Sequence, residues 1–267
     1  NKSLRNTKKS EISGADTTVL AGDKIENTGG STIRGRNLTL LSATDIVNTS
    51  SNIIVEGEAV LQAGNNIVNS RDVKQTVKRN GNLITTQVGG ASKIIASNDV
   101  SLLAGNNILN QGSVITAGGE ALLQAGNDVI IDASADRERV ASRDYVKDDT
   151  KHYGSSVSAN DDLNIAADNS VGIYGSDISS KGNLSIVAGN NVEIASVTDE
   201  SYFYLHDEDS GSFGSKSSET TEIYQTTNVA SNVSAVGDVN VVALDDDVLL
   251  KGSSLNAGGD INVSAGD

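Results

Sequence analysis

Few residues in this chain have the types and spacing that catalysis needs. The only two histidines, His152 and His206, lie in different irregular stretches of the sequence, and the chain has no cysteine. No serine lies in the context of a nucleophile elbow, so the parts of a hydrolytic triad are missing. We therefore expect both histidines to lie on the solvated surface without a catalytic role.

Carboxylates are the other candidates for chemistry. Paired acids such as Asp161 and Asp162, or the run 245–247, have the residue types used in glycoside hydrolysis. Adjacent residues on a strand point to opposite faces, however, and acidic residues at turns are usually solvated. The run from His206 to Asp209 offers oxygen ligands but lacks the spacing of a calcium-binding loop. The sequence therefore predicts no catalytic residue, cofactor or metal site, and an enzyme stays a minor alternative.

A repeat of about 21 residues organises the elements that must position these side chains. Each copy opens with an acidic or amide residue, continues with alternating apolar residues, and closes with a small residue and a turn that is usually Gly followed by Asn or Asp. The openers are Asp16, Asn37, Glu58, Asp99, Glu120, Asp162, Asn183, Asp238 and Asp260. Self-similarity at this period predicts a solenoid.

Three columns of the repeat predict what each coil buries. The third residue after each opener is aliphatic: Val19, Leu40, Leu61, Leu102, Leu123, Ile165, Ile186, Val241 and Val263. The fifth is small: Ala21, Ser42, Ala63, Ala104, Ala125, Ala167, Ala188, Ala243 and Ala265. The ninth is Ile25, Ile46, Ile67, Ile108, Val129, Val171 and Val192, with Val248 one residue late. Apolar and polar residues alternate with period two, as in a strand with one buried face.

The predicted fold is therefore all-β, a parallel β-helix solenoid with about three short strands in each coil of about 21 residues. About a dozen coils would make a rod roughly 50–60 Å long. We expect residues 1–267 to form a single β-helix segment. Because the chain starts at Asn1 and stops within a repeat at Asp267, we also expect it to be a slice of a larger protein.

A row of amides and acids follows the small column, at one corner of each coil. Its members are Asp23, Asn65, Asn106, Asn127, Asn169 and Asn190. Asn and Asp tolerate left-handed backbone conformations and bond locally to the chain. We expect these side chains to stack as a structural ladder between coils, with a ligand-binding row as the alternative.

Composition and charge limit the partners of the chain. The formal net charge is −15, which argues against nucleic acid and against an anionic membrane surface. The chain has no Cys, Pro, Met or Trp, and aromatic residues make up only 3% of it. The absence of cysteine is compatible with secretion through an oxidising periplasm. No run of residues is long and apolar enough for a transmembrane helix, and no signal peptide opens the chain.

Three excursions interrupt the repeat, at about 70–90, 134–154 and 197–228. The first two occupy intervals close to two repeats and are expected to take the place of part of a coil. The first has an Asn80-Gly81 signal for a hairpin turn. The excursions hold most of the aromatic residues of the chain. The candidate partner-binding residues are Tyr202, Phe203, Tyr204, Phe213 and Tyr224. Each excursion either extends one face of the rod as extra sheet or binds a partner. In the second case, the 202–205 ribbon can add strands to the edge of a partner's sheet.

The repeat words resemble a known family. The segments 63–67, 102–108, 122–129 and 187–192, which share an Ala-Gly-Asn core, are similar to the haemagglutinin repeats of the filamentous haemagglutinin family of bacterial two-partner secretion exoproteins. The 210–215 segment with its threonine-rich continuation resembles the second repeat region of contact-dependent growth inhibition effectors. The resemblance extends over essentially the whole chain.

The resemblance implies a right-handed parallel β-helix, exported by an outer-membrane two-partner secretion transporter to the outer surface of a Gram-negative bacterium. In growth-inhibition effectors, the second repeat region is associated with toxin delivery into target bacteria, which implies contact with outer-membrane components of the target cell. In haemagglutinins the repeats serve adhesion. A delivery segment and an adhesin shaft both stay open.

Overall fold

The structure, a computed structural model, describes residues 2–78, 82–210 and 216–266, and every regular element within them is a β-strand. The first strands are β1 (Leu4–Asn6), β2 (Glu11–Ala21), β3 (Ile25–Thr28), β4 (Thr32–Ser42), β5 (Ile46–Thr49), β6 (Asn52–Val55), β7 (Ala59–Ala63), β8 (Ile67–Ser70), β9 (Val73–Val77) and β10 (Leu83–Val88). They are followed by β11 (Lys93–Ala96), β12 (Val100–Ala104), β13 (Ile108–Gln111), β14 (Val114–Ala117), β15 (Ala121–Ala125), β16 (Val129–Asp132), β17 (Ser134–Ala141), β18 (Tyr145–Tyr153), β19 (Ser156–Ala159) and β20 (Leu163–Ala167). The last are β21 (Val171–Tyr174), β22 (Asp177–Ser180), β23 (Leu184–Ala188), β24 (Val192–Ala195), β25 (Val197–Ser210), β26 (Lys216–Val229), β27 (Asn232–Ala235), β28 (Val239–Ala243), β29 (Val248–Lys251), β30 (Ser254–Ala257) and β31 (Ile261–Ser264).

Three parallel faces enclose the core and confirm the predicted parallel β-helix. The first face is a nine-stranded sheet in the order β1-β3-β5-β8-β13-β16-β21-β24-β29. The second runs β4-β6-β11-β14-β19-β22-β27-β30, and the third β4-β7-β12-β15-β20-β23-β28-β31. The long strand β4 turns the corner between the second and third faces, and β2 pairs beside it over both. No helix of the described residues is long and apolar enough to span a membrane.

The predicted aliphatic column forms an unbroken ladder inside the rod. Leu61 pairs in register with Leu102, and Leu102 with Leu123, and all three are completely buried. Each such side chain contributes about 1.5–3 kcal/mol relative to exposure. The ladder weakens only in the outermost coils, where Val19 is half-buried and Val263 is 53% exposed because one side has no covering coil.

The described residues form nine coils, counted as strands of the first face, so the expected dozen was wrong. Leu61 and Leu102 lie in adjacent coils although 41 residues separate the openers Glu58 and Asp99. Each excursion is therefore an insertion at a corner, and the expectation that the first two take the place of part of a coil was also wrong. Nine layers at the strand spacing make a rod of about 40 Å.

Buried asparagines brace the corner between the first and second faces. In the N-terminal half, the side-chain amide of each donates to the side-chain oxygen of the next, at 2.7–2.9 Å. The column consists of Asn6, Asn27, Asn48, Asn69 and Asn110. Each amide also donates to a backbone carbonyl at or next to the start of the second face, as Asn69 does to Val114 at 3.1 Å. In later coils the same column is aliphatic, with Ile131, Ile173 and Ile194.

A column of buried serines runs along the same corner. Each backbone N–H donates to the Oγ of the serine in the next coil, as Ser92 does to Ser113 at 3.2 Å. The members are Ser31, Ser51, Ser92, Ser113, Ser155, Ser176 and Ser231. These bonds supply buried partners to backbone donors where the chain turns out of the sheet ladders.

Acidic and amide residues at the other corners also bond between coils. The opener Asp99 accepts the backbone N–H of Glu120 through Oδ1 at 2.9 Å. In the predicted asparagine ladder, Asn106 donates to Asn66 at 3.0 Å and Asn127 donates to Asn107 at 2.9 Å. The ladder exists, but most of its side chains bond to the residue that follows the equivalent residue of the neighbouring coil.

Candidate functional site

Three hairpins leave the rod at one corner, between the first and second faces. The first hairpin consists of β9 and β10, the second of β17 and β18, and the third of β25 and β26. They follow the first-face strands β8, β16 and β24, which are every second coil of the rod. The coils between them carry no hairpin.

The turn residue at this corner distinguishes the two kinds of coil. Coils without a hairpin turn through a residue with positive φ. It is a glycine at Gly29 (69°), Gly112 (57°), Gly175 (53°) and Gly252 (59°), the residue type that adopts this conformation without strain, and a side-chain-bearing residue at Lys8 (60°) and Ser50 (45°). The equivalent residues Arg71 and Ala133 begin the first and second hairpins. A positive φ thus marks a closed corner, whereas Arg71 and Ala133, where hairpins leave the rod, lack it.

The three hairpins combine into one six-stranded antiparallel sheet, which we call the accessory sheet. Its order is β26-β25-β18-β17-β10-β9. Between hairpins, Ile84 pairs with Arg139 and Asp148 pairs with Tyr202. Segments that are far apart in the sequence therefore form one continuous surface along the rod.

The spacing of the coils explains why the hairpins meet. Coils stack at the same distance of about 4.8 Å that separates paired strands in a sheet. A hairpin contributes two strands and occupies about 9.6 Å, which is also the distance between every second coil. Successive hairpins therefore arrive at hydrogen-bonding distance without bending.

The accessory sheet is a single layer with two solvated faces. Among its described residues only Ser134, at the base of β17, is buried. Its strands lengthen along the rod, from five residues in β9 to fourteen in β25 and β26. Because no core lies beneath it, cross-strand pairs must stabilise it.

An ion-pair cluster holds the second hairpin together. Arg137 binds both carboxylate oxygens of Asp148, at 2.9 and 2.8 Å, and Arg139 donates to the same carboxylate at 3.0 Å. The hydrogen bond from Arg137 lowers the pKa of Asp148 and raises that of Arg137 itself. A bidentate arginine pair fixes geometry better than a single contact.

Contacts between the second and third hairpins connect their strands beyond the backbone ladder. Ser201 donates to Asp149 at 2.7 Å, which lowers the pKa of that carboxyl. The rings of Tyr145 and Phe203 pack edge to face with centroids 5.7 Å apart. Such pairs each add about 0.2–1 kcal/mol to a sheet.

Arg71 connects the first and second hairpins at their base. Its guanidinium donates to the carbonyls of Gly112 and Gly89, at 2.5 and 3.0 Å. The same group lies 5.0 Å from the centroid of the Tyr153 ring, in a cation–π contact. Arg71 thus connects the base of the first hairpin with the corner of the neighbouring coil and with the base of the second hairpin.

The candidate partner-binding residues fall on both faces of the accessory sheet. Tyr202, Tyr204 and Tyr224 share one face, and Phe203 lies on the other, since neighbours along a strand alternate. Tyr202 donates to Glu222 at 3.1 Å. Phe213 lies outside the described residues.

The structure corrects how the 202–205 ribbon can act. β25 pairs with β18 on one side and with β26 on the other, so its backbone is occupied on both edges. Strand addition at this ribbon is excluded, and its side chains are left as the means of contact. The outer strand of the third hairpin is β26.

The residues considered for catalysis lie apart and have structural contacts. Asp199 Oδ1 accepts the backbone N–H of His152 at 2.6 Å and lies 3.0 Å from its Nδ1, whereas the Nδ1 of His206 lies 2.9 Å from the hydroxyl of Thr220. Asp162 accepts the backbone N–H of the next opener at 2.7 Å. No cluster of three or more metal-ligating side chains occurs in the described part of the chain.

Sequence reasoning missed the two polar columns and the joining of the hairpins. The asparagine signal was present, because Asn27 and Asn48 each lie two residues after a buried isoleucine and thus on the same side of the strand. The signal for the joining of the hairpins lay in the order of the coils. Each coil that carries an excursion is followed by one that carries none, so the excursions are spaced two coils apart.

Comparison with known proteins identifies the repeat. A family model described as hemagglutinin repeat matches residues 84–145, 141–214 and 210–267, which together are more than half of the chain. No match was found among curated proteins or among solved structures.

Proposed function

The chain belongs to the hemagglutinin repeat family, a structural repeat of secreted and cell-surface exoproteins, and from this premise we propose that it supports toxin delivery into target bacteria by contact-dependent growth inhibition. In this role the rod is a shaft segment exported by a two-partner secretion transporter. The accessory sheet is the surface that meets outer-membrane components of the target cell.

The observation that supports a contact role is the continuity of the accessory sheet. Three insertions, each of which could be an independent loop, share one hydrogen-bonded surface. That surface displays Leu205, Ile223 and Tyr224 at 38%, 47% and 61% exposure on a chain that is otherwise poor in aromatic residues. Exposed apolar side chains on a rigid support are typical of interaction sites.

The test replaces aromatic side chains in the full-length exoprotein. The variant Tyr202→Ser/Tyr224→Ser removes a cross-strand pair from one face of the sheet. We expect normal secretion, normal binding between cells and reduced growth inhibition of target bacteria. The matched control is Tyr174→Ser, which removes a tyrosine from the outer surface of the first face of the rod.

The same experiment separates delivery from adhesion. Loss of attachment itself would favour the adhesin shaft, the second role that the repeat family allows. Unchanged inhibition and unchanged attachment would contradict a contact role for this face of the sheet in either function.

A further inference from the structure

The outer edge of the accessory sheet is a long unpaired strand. β26 spans fourteen residues and pairs only with β25 in the described structure. Its register with β25 is continuous from Val229 to Lys216, without a bulge. Alternate residues of such a strand direct their backbone N–H and C=O groups away from the sheet, which leaves a template for another strand.

The two edges of the sheet differ in protection. β9, at the opposite edge, has only five residues, contains Lys74 and is followed by Lys78. Short length and lysines are the usual means by which a protein protects an edge from strand addition. β26 has no proline, no glycine and no lysine after Lys216, and its threonine-rich sequence favours extended structure.

The charge around β26 selects the kind of strand that fits. The third hairpin, residues 197–229, contains seven carboxylates and a single lysine. Glu219 and Glu222 lie on β26 itself and are exposed. A second copy of the chain would bring a further formal charge of −15, so self-association at this edge is opposed.

Apolar surface lies in the middle of the same edge. Ile223 and Tyr224 are 47% and 61% exposed and point to opposite faces of the sheet. A strand added beside them would place apolar side chains against one or the other, and cross-strand pairs of this type stabilise a sheet.

We infer that β26 receives one antiparallel β-strand from a protein partner, and that this strand carries lysine or arginine between β-branched or aromatic residues. The added strand would run outward from the rod, in the direction of β25, and continue the alternation of the sheet. This inference rests on the proposed role of the accessory sheet as a contact surface, and it names the chemistry of the partner.

The test uses the purified chain and three synthetic probes. The first is a labelled twelve-residue peptide of alternating valine and threonine with three lysines. The second has glutamate in place of lysine, and the third is the lysine peptide with alternate backbone amides methylated. We expect the lysine peptide to bind by fluorescence anisotropy and to protect amides of β26 from hydrogen exchange. We expect binding to weaken by roughly tenfold or more for each of the other two.

Variants of the chain locate the site. Glu219→Lys should weaken binding of the lysine peptide, whereas Glu120→Lys makes the same change of charge on the rod and should leave it unchanged. Equal binding of the methylated peptide, equal binding of the glutamate peptide, or no binding of any probe would overturn the inference. The assay contains no target cells, so its failure removes the edge assignment alone and leaves the cell assay to test the proposed function.

Discussion

Asparagines and isoleucines occupy the same buried column of this rod, and they stabilise it in different ways. An isoleucine needs only apolar neighbours. Asn69 accepts a hydrogen bond from Asn48 and donates to Asn110, so each amide depends on the next. Removing one partner of a buried bond leaves polar atoms unsatisfied, whereas removing all partners together leaves few.

We predict that Asn69→Ile lowers the free energy of unfolding by about 1–3 kcal/mol. The side chain of Asn110 and the carbonyl of Val114 would lose their donor. Replacing all five asparagines of the column with isoleucine should cost much less than five times this amount, because no interrupted amide chain remains. Denaturant unfolding measures both. A fivefold cost would show that the amides act independently.

The carboxylates of the second hairpin predict an acid response of the accessory sheet. The pKa values of Asp148 and Asp149 are lowered from 3.8, chiefly by hydrogen bonds from Arg137 and Ser201. A lowered pKa contributes stability that is complete above the unfolded value and is lost as the pH falls through the folded value. We expect hydrogen-exchange protection of β18, corrected for intrinsic rates, to be constant above about pH 5 and to fall below about pH 4.

The matched variant for this prediction is Asp148→Asn. It should lower the protection of β18 at pH 6 and reduce its dependence on pH, because the arginines then face a neutral amide. Wild-type protection that stays constant to pH 2.5 would contradict the assigned role of these ion pairs.

At the scale of elements, the hairpins depend on one another more than the coils depend on the hairpins. The coil beneath each hairpin is complete, with its own core residues and corner bonds. The accessory sheet has no core, and the second hairpin lies between the other two. Its removal would leave a gap two strands wide.

We predict that deleting residues 134–153 and rejoining with a short Gly-Ser link leaves the rod folded but exposes the first hairpin to hydrogen exchange. Deleting residues 72–89 is the matched control, since it removes a terminal hairpin and should leave β25 and β26 protected. Unfolding of the rod in either variant would show that the hairpins are needed for the coils.

The coils could be predicted from the sequence, whereas the pairing of the hairpins in the accessory sheet could not, and the reason is physical. Coil columns such as the one containing Leu61 and Leu102 repeat at a fixed position, and burial forces the same residue type on every copy. The hairpins share no such column: Ile84 faces Arg139, and Asp148 faces Tyr202. Their pairing follows from the spacing of the coils, which appears only after the chain is folded.

At the scale of the whole molecule, the accessory sheet is polarised along the rod. The first hairpin is basic at its edge, with Lys74 and Lys78, and the third is strongly acidic. The net charge of −15 is thus distributed unevenly. A partner meets a more positive electrostatic potential at the β9 end of the sheet than at the β26 end. This distribution of charge depends on the positions of the hairpins along the rod.

The order of coils should therefore control whether the accessory sheet exists. We predict that inserting one additional coil without a hairpin between β21 and β24 lengthens the rod by one layer and separates the third hairpin from the second. The new gap of about 4.8 Å equals one strand and cannot be closed by hydrogen bonds.

Cysteines at Asp148 and Tyr202, which face each other in a chain without natural cysteine, should form a disulfide in the parent background and fail to do so in the insertion variant. The same coil inserted between β3 and β5, before the first hairpin, should leave the disulfide intact. Efficient crosslinking in the first insertion would mean that the hairpins find each other without the spacing of the coils.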